Sequence, residues 1–287
     1  MCSVSWLLEK QGYQVFFNRD EQKSRALALP PKKFTLNGVD VLMPLDPVGG
    51  GSWISMNQFG LSLCLLNNYQ GKLSAGSLLS RGLLLKQLSS SSTTEQVAQQ
   101  FQQLEIKRFA PFTLLVFSPN LSLLNPKVMA YAWNGEQISI YETDSPLFSS
   151  GFDLSNVVHY RQTIYRKLIQ TGKSQEALLA FHSHHHPDFS HMSTCMHRED
   201  AHTVSFTHLH SNNGDFSMFY RPGSPCSSLT EASQELGGFQ SNANANANAK
   251  VIATHQIANH QVISHQITAN EISQNRSTFD LSEALST

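Results

Sequence analysis

The chain has 287 residues, of which 40% are hydrophobic and 14% are charged, and its formal net charge at pH 7 is −1. This length suits one large folded domain or two small ones, and the near-neutral charge gives no electrostatic reason to expect nucleic acid or an anionic membrane as a partner. No stretch reaches the roughly 20 apolar residues of a membrane span, and the N-terminus lacks the basic and apolar segments of a secretory signal. We therefore expect a cytoplasmic protein without a transmembrane segment.

The first half of the chain has the pattern of strand hairpins followed by a pair of helices. The runs SVSWLL and YQVFFN predict one hairpin, and GSWISM and LSLCLLN predict a second. Starts rich in Ser and Thr predict helices at about 77–88 and 94–104. The runs FTLLVFS, MAYAWN and QISIYE then predict three further strands, the last two joined by a turn at Asn134-Gly135.

The second half of the chain has two predicted helices followed by predicted strands. Helices are predicted at about 153–170 and 174–182, before the strands STCMHR, HTVSFTHLH and FSMFYR. Hairpin-rich sheets with helices in separate blocks favour an α+β fold over a doubly wound α/β fold. Because many of these strands are apolar on both faces, we expect stacked sheets covered by helices.

The composition changes sharply after Cys226. Residues 227–287 include SNANANANAK and a run with a five-residue period from Ile252 to Arg276. One apolar residue in five suits neither a helix stripe nor a strand face, so this pattern favours a disordered, low-complexity tail. A pentapeptide solenoid is the alternative. The folded domain is accordingly predicted to span residues 1–226.

Cys2 directly follows the initiator methionine. Removal of Met1 would leave one residue that carries both a thiol and a free α-amine, and an α-amine with a pKa near 8 can accept the thiol proton. The resulting thiolate is a nucleophile for an acyl carbonyl. The other cysteines, Cys64, Cys195 and Cys226, lie far apart without a CxxC pair, so the spacing predicts neither a disulfide framework nor a zinc site.

The second predicted strand ends in residues suited to support this thiol. Side chains alternate along a strand, so Asn18 and Asp20 share one face and Arg19 takes the other. Asp20 is predicted to orient the amine, across the hairpin from Cys2. Asn67, at the end of LSLCLLN, is a predicted oxyanion donor.

Four motifs in order carry a resemblance to a known family. MCSVSWL, FFNRDE with Arg25 following, GGGSWISMNQFG and LCLLNNY resemble the NRDE-motif family, which includes the transport and Golgi organisation proteins of eukaryotes. The resemblance covers residues 2–226. It implies an N-terminal-nucleophile fold, a four-layer αββα sandwich, in agreement with the stacked sheets expected above.

Related bile-salt and penicillin V acylases imply roles for individual residues. The resemblance makes Cys2 the nucleophile, Asp20 its partner and Asn67 the oxyanion donor. It also implies that Arg198 reads a substrate anion, and we add Asn18 and Arg19 as predicted substrate-binding residues. The chain departs from the acylases in one loop, where TDSP stands in place of an asparagine.

Nine of the thirteen histidines fall between His182 and His210. Imidazole clusters bind transition metals and heme iron, but adjacent residues of one loop do not converge on a single ion. We therefore predict a solvated loop and no metal site. The resemblance also links the family to heme trafficking, which makes His182, His184 and His197 candidate heme ligands.

Two hypotheses about function follow. The first is an amidohydrolase or acyltransferase that cleaves or transfers acyl groups from amides or thioesters, with no required cofactor and a small acyl-bearing molecule as its partner. The second is a binding protein on the same scaffold that carries heme or acyl-CoA as cargo without turnover.

Overall fold

The computed structural model describes residues 2–73, 76–229 and 235–239. The strands are β1 Cys2–Glu9, β2 Gly12–Gln22, β3 Leu29–Leu36, β4 Val39–Leu45, β5 Ile54–Asn57, β6 Ser62–Asn67, β7 Phe112–Phe117, β8 Val128–Trp133, β9 Ile138–Thr143, β10 Leu147–Ser149, β11 Ala201–Asn212, β12 Asp215–Pro222 and β13 Glu235–Phe239. The helices are α1 Arg81–Leu88, α2 Thr94–Gln102, α3 Leu154–Leu168, α4 Gln175–Ser183 and α5 Pro225–Ser228.

The strands form two antiparallel sheets. The first has the order β10-β1-β2-β11-β12-β13, and the second has the order β3-β4-β5-β6-β7-β8-β9. Alternate residues of both sheets form a shared apolar core, with Trp6 and Val15 from the first sheet and Ile54 and Phe117 from the second. The two sheets therefore pack face to face, and the start of β1 lies at their interface.

A helical layer covers the outer face of each sheet. Leu84 of α1 and Phe101 of α2 pack on outward residues of the second sheet. Tyr165 of α3 and Phe181 of α4 pack on Phe16 and other outward residues of the first sheet. The order of layers is thus helix, sheet, sheet, helix, which confirms the predicted four-layer αββα sandwich.

The predicted hairpins and the four long helices are present, although α1 begins at Arg81 and not at 77. The prediction of a strand at STCMHR is wrong. Its residues form one isolated bridge, between His197 and His202, because this polar run offers no alternating apolar face. The sequence reasoning missed β3, whose Pro30-Pro31 pair is tolerated because β3 is an edge strand.

The predicted tail, residues 227–287, lies mainly outside the described residues. Within it, β13 pairs with β12 and extends the first sheet by one strand. The boundary at residue 226 and the disorder of the tail stay predictions. Among the described residues, none of the helices combines the length and the hydropathy that crossing a membrane requires.

Candidate active site at the start of the first strand

Cys2 opens β1 and lies between two neighbouring strands. Its registry partners are Arg19 on β2 and Ser149 on β10. Residues directly opposite each other in an antiparallel pair share a face of the sheet, so all three side chains point toward the second sheet. Cys2 is only 7% exposed and belongs to the same apolar core as Trp53.

The surroundings of Cys2 hold its thiol in the neutral form. Burial raises the pKa of this thiol, and the nearby charge of Asp20 raises it too. The charge of Arg19 and a hydrogen bond from the Asp20 backbone act in the opposite direction. A neutral, desolvated thiol is a weak nucleophile, so attack by Cys2 requires a base that removes its proton.

Arg19 lies on the face opposite to Asn18 and Asp20, as predicted. Its guanidinium carbon is 4.2 Å from the centre of the Trp53 ring, and Nη2 is 3.1 Å from Glu21 Oε2. The register sets Arg19, and neither Asn18 nor Asp20, directly opposite Cys2.

Two further arginines extend this charged region. Arg25 Nη2 is 2.5 Å from Asp46 Oδ2, and Arg25 Nε is 3.6 Å from Glu21 Oε2. Arg81 donates from Nη1 to the carbonyl of Pro111 at 3.0 Å. Burial lowers the pKa of Arg81, while the charges of Tyr69 and Cys2 act to raise it, so Arg81 lies within electrostatic reach of the thiol.

Asp20 points to the outer side of the first sheet. Thr203 Oγ1 donates to its Oδ1 at 2.6 Å, and Arg161 Nη2 lies 3.7 Å from its Oδ2. Both side chains of this ion pair are fully buried. Arg161 also donates to Ser3 Oγ at 2.6 Å and to the carbonyl of Ser193 at 2.9 Å. The predicted role of Asp20 in orienting the amine stays a prediction.

Asn18 and His182 form an internal network on the same outer side. Asn18 Nδ2 donates to the carbonyls of His182 and Thr194, each at 2.9 Å, and its Oδ1 is 3.0 Å from His182 Nδ1. The other ring nitrogen of His182 is 2.9 Å from Ser5 Oγ. Burial lowers the pKa of His182 to about 3, so its ring is neutral. These contacts engage both residues within the domain, and their predicted ligand roles stay untested.

Asn67 ends β6 and donates from Nδ2 to the hydroxyl of Tyr69 at 2.9 Å. By strand alternation it shares the helix-covered face with Leu65. The next residue, Asn68, lies just past the end of β6, where its backbone N–H donates to the carbonyl of Pro111 at 3.1 Å and its Oδ1 accepts from the backbone of Gln70 at 3.2 Å. The sequence analysis named Asn67 and not Asn68, and the predicted role of Asn67 stays a prediction.

Two polar atoms near Cys2 are buried without a hydrogen-bond partner among the described residues, Trp53 Nε1 and Ser149 Oγ. Buried polar groups are nearly always paired, so unpaired ones often mark a place where a ligand or water binds. The sequence analysis singled out neither Trp53 nor Ser149. The pairing of β1 with β10 places Ser149 beside Cys2, and the stacking of Arg19 on Trp53 places the indole there.

Arg198 lies apart from these contacts. Its Nε and Nη2 donate to the two carboxylate oxygens of Asp200 at 2.9 and 2.7 Å, and its guanidinium carbon is 5.4 Å from the centre of the Phe152 ring. Arg198 lines a surface cavity of about 430 Å³, which His191 and Glu199 also line. Its predicted contact with a substrate anion stays a prediction.

The remaining predicted heme ligands, His184 and His197, have different surroundings. Burial lowers the pKa of His184 to about 4, and its ring lies 6.0 Å from that of Tyr160. His197 Nε2 is 3.6 Å from Cys195 Sγ and 3.2 Å from Cys226 Sγ. The fold thus brings together two thiols that are 31 residues apart in the sequence. The prediction of no zinc site stays a prediction.

A comparison with models of known families finds a match over most of this chain. The profile of the family Transport and Golgi organisation 2 (TANGO2) matches residues 1–219. None of the curated proteins matches the chain.

Among solved structures, two variants of the conjugated bile acid hydrolase from Clostridium perfringens are 13% identical, with TM-scores of 0.47 and 0.48. They cover 89% and 91% of this chain and 97% and 100% of their own. An N-acylethanolamine-hydrolyzing acid amidase ortholog from Caenorhabditis elegans is 11% identical, with a TM-score of 0.46 over 72% of this chain and 92% of its own.

Proposed function

This chain belongs to the Transport and Golgi organisation 2 family, and we propose that it cleaves or transfers acyl groups with Cys2 as the nucleophile. The observation that carries the proposal is the position of the Cys2 thiol. It is the first side chain of β1, buried between the sheets and directly opposite Arg19. A buried thiol at the start of β1, opposite an arginine and near buried polar groups without a partner among the described residues, suits covalent acyl chemistry.

The base in this mechanism is the α-amine that removal of Met1 gives to Cys2. The amine takes the thiol proton, and sulfur attacks the acyl carbonyl to form a thioester as the bond to the leaving nitrogen or sulfur breaks. The same proton passes to the leaving group. Water then attacks the thioester, which releases a carboxylic acid and restores the thiol. A second acceptor in place of water gives acyl transfer.

Two groups are suited to stabilise the oxyanion that forms during the attack. Trp53 has a buried indole N–H without a hydrogen-bond partner among the described residues, and Asn68, just past the end of β6, has a side-chain amide. Donors that are in place before the reaction stabilise developing charge most effectively. Asn67 is the weaker choice, because its amide donates to Tyr69.

The charges around Cys2 favour an acyl substrate with an anionic group. Arg19 and Arg81 lie near Cys2, and Arg25 lies near Arg81; Glu21 pairs with Arg19 and Asp46 pairs with Arg25. Arginine pairs well with carboxylate and phosphate because its planar group donates two parallel hydrogen bonds. N-acyl amino acids and acyl-CoA thioesters are therefore the first substrate classes to test.

Pre-steady-state release of the leaving group tests this proposal. Protein with verified loss of Met1 is mixed with an N-acyl amino acid or an acyl-CoA thioester of matched chain length. We expect a burst of about one leaving group per chain, followed by slower turnover. Cys2→Ala should abolish the burst, and Cys64→Ala, which also removes a buried thiol, should keep it. Equal turnover by the wild type and Cys2→Ala would overturn the proposal.

One observation favours the alternative of cargo binding without turnover. In the TDSP loop, Ser145 accepts a hydrogen bond from the backbone of Trp6 at 3.1 Å and lies 3.2 Å from the Tyr165 hydroxyl, so this loop supplies no amide donor. Heme or acyl-CoA would then be carried as ligands. Saturable binding of either to wild type and Cys2→Ala alike, without release of product, supports this alternative. All four cysteines are free thiols, which supports a cytoplasmic location for either function.

A further inference from the structure

Two cysteines and a histidine lie close together on the outer side of the first sheet, away from the core that contains Cys2. The ligand atoms of Cys195, His197 and Cys226 all lie within 4.8 Å of one another. Cys195 and His197 belong to the segment before β11, and Cys226 belongs to the short helix α5 after β12. The β11–β12 hairpin brings these two segments together.

We propose that Cys195, His197 and Cys226 bind a zinc ion, with His185 beside them as the fourth ligand. Zinc prefers four ligands in a tetrahedron, with Zn–S near 2.3 Å and Zn–N near 2.0 Å. Those lengths require a sulfur–nitrogen separation of about 3.6 Å. The separations from His197 Nε2 are 3.6 Å to Cys195 Sγ and 3.2 Å to Cys226 Sγ. The three side chains thus already surround a space of the required size.

His185 is the imidazole that lies beside this set of three ligands. Its Nδ1 is 3.2 Å from the carbonyl of Cys195, and its ring centre is 4.5 Å from that of His197. A hydrogen bond from one ring nitrogen to a backbone carbonyl fixes the tautomer and leaves the other nitrogen as a ligand. The backbone N–H of Cys226 also points to Cys195 Sγ at 3.5 Å, a contact typical of zinc-bound thiolates.

The types of ligand in the proposed site determine which metal ions it can bind. Two thiolates and imidazole suit zinc in preference to magnesium or calcium, which require oxygen ligands. Binding releases the two thiol protons, and the charges of two thiolates then balance that of Zn²⁺. With four protein ligands the site is closed, so its role is structural and not catalytic.

The zinc site would stabilise the hydrogen bonds that hold Asp20 on the outer side of the first sheet. Met196, between two of the ligands, donates its backbone N–H to Thr203 Oγ1 at 2.8 Å, and Thr203 in turn donates to Asp20 at 2.6 Å. Fixing residues 195–197 therefore fixes the partner of Asp20. The inference stands without the proposed acyl chemistry, because metal binding is measured independently of activity.

Metal content and cobalt spectroscopy test the proposal directly. The full chain, without a histidine tag, is purified under reducing conditions and its zinc is measured. We expect about one zinc per chain, and Co²⁺ in its place should give thiolate-to-cobalt charge transfer together with the strong visible bands of a tetrahedral site. Cys226→Ser and His197→Ala should each lower zinc affinity by at least about 10-fold.

Two control variants locate the ion. Cys2→Ala should keep the full zinc content, and so should a chain with His255, His260 and His265 of the tail replaced by alanine. Zinc that disappears with the tail histidines, or that persists unchanged in Cys226→Ser, would overturn the proposal.

Alkylation of the wild-type protein provides a test that needs no variant to fold. Zinc should slow the reaction of iodoacetamide with Cys195 and Cys226 by at least about 10-fold and leave the rate at Cys2 unchanged. Equal rates with and without zinc at all three positions would contradict the site.

Discussion

The two faces of the β1–β2 hairpin use polar side chains in opposite ways. On the outer face, Asn18, Arg161 and His182 direct their polar atoms to partners within the domain. On the inner face, Cys2 lies among apolar residues. The nearby Trp53 Nε1 and Ser149 Oγ have no hydrogen-bond partner among the described residues. Because each unpaired buried group costs about 1–3 kcal/mol, the inner face retains groups that stability alone would not favour.

This difference separates residues that hold the fold from residues available for chemistry. Substitution of Cys2 or Ser149 should change activity and leave stability nearly unaltered, because these small side chains make few internal contacts. Substitutions on the outer face should do the reverse.

The largest effect is expected at Cys2. Replacing it by alanine removes the nucleophile, so kcat/KM for an acyl substrate should fall by about 10³-fold or more. The free energy of unfolding, measured in urea, should change by less than about 1.5 kcal/mol because the lost group is small. A large loss of stability with retained turnover would show that Cys2 supports the fold and not the chemistry, which contradicts the proposed difference between the two faces.

Asp20 should show the opposite pattern. In Asp20→Asn the buried guanidinium of Arg161 loses its charged partner, and the free energy of unfolding should fall by about 3–5 kcal/mol. Adding Arg161→Met should recover part of that loss, which a double-mutant cycle in urea measures. If Asp20→Asn instead keeps its stability and loses kcat, the carboxylate acts on the Cys2 amine and belongs to the chemistry.

Asn67, the last residue of β6, and Asn68, the residue after it, give a matched pair of neighbouring asparagines. Asn68→Ala should lower kcat by about 10²-fold through loss of an oxyanion donor, while Asn67→Ala should change kcat by less than about threefold. Steady-state kinetics on one substrate measure both variants. The reverse order would move the oxyanion site to the helix-covered side of the second sheet.

The smallest effect is a dependence of stability on pH through His182. Its pKa is lowered to about 3 in the folded protein, whereas an unfolded histidine titrates near 6.5. Between these values the unfolded chain binds more protons, so the free energy of unfolding should fall by about 1.4 kcal/mol for each pH unit below about 6.

His182→Gln supplies the control for this measurement. Urea unfolding at pH 6.5, 5.5 and 4.5 should give a shallower slope for the variant by about that amount. Slopes that coincide would show that protonation of His182 is not linked to folding.

The sequence was sufficient for the elements that depend on local pattern. Alternating runs predicted the β1–β2 and β11–β12 hairpins, and the family motifs implied the four layers. The sequence was insufficient where the position of a residue depends on which strands pair and in which register. The position of Arg19 shows this, because alternation along β2 does not reveal which of its faces lies with Cys2, whereas the register pairs Arg19 with Cys2. The cluster of Cys195 with Cys226 depends on a hairpin register that no spacing rule contains.

Cys226 also changes how the central claim must be tested. Its hydrogen bond with Cys195 lowers the pKa of the Cys226 thiol, and His197 lowers it further, so this thiol and not Cys2 should react first with a simple alkylating agent. Alkylation rate alone therefore does not identify the nucleophile. An acyl donor that must bind before it reacts does.

The most direct measurement is the intact mass of the zinc-loaded protein after brief exposure to an acyl-CoA thioester, followed by peptide mapping. The account predicts a chain without Met1 that carries one acyl group on Cys2, removable by hydroxylamine and lacking in Cys2→Ala. Retention of Met1 in protein that turns over substrate, or acylation at Cys226 with none at Cys2, would contradict it.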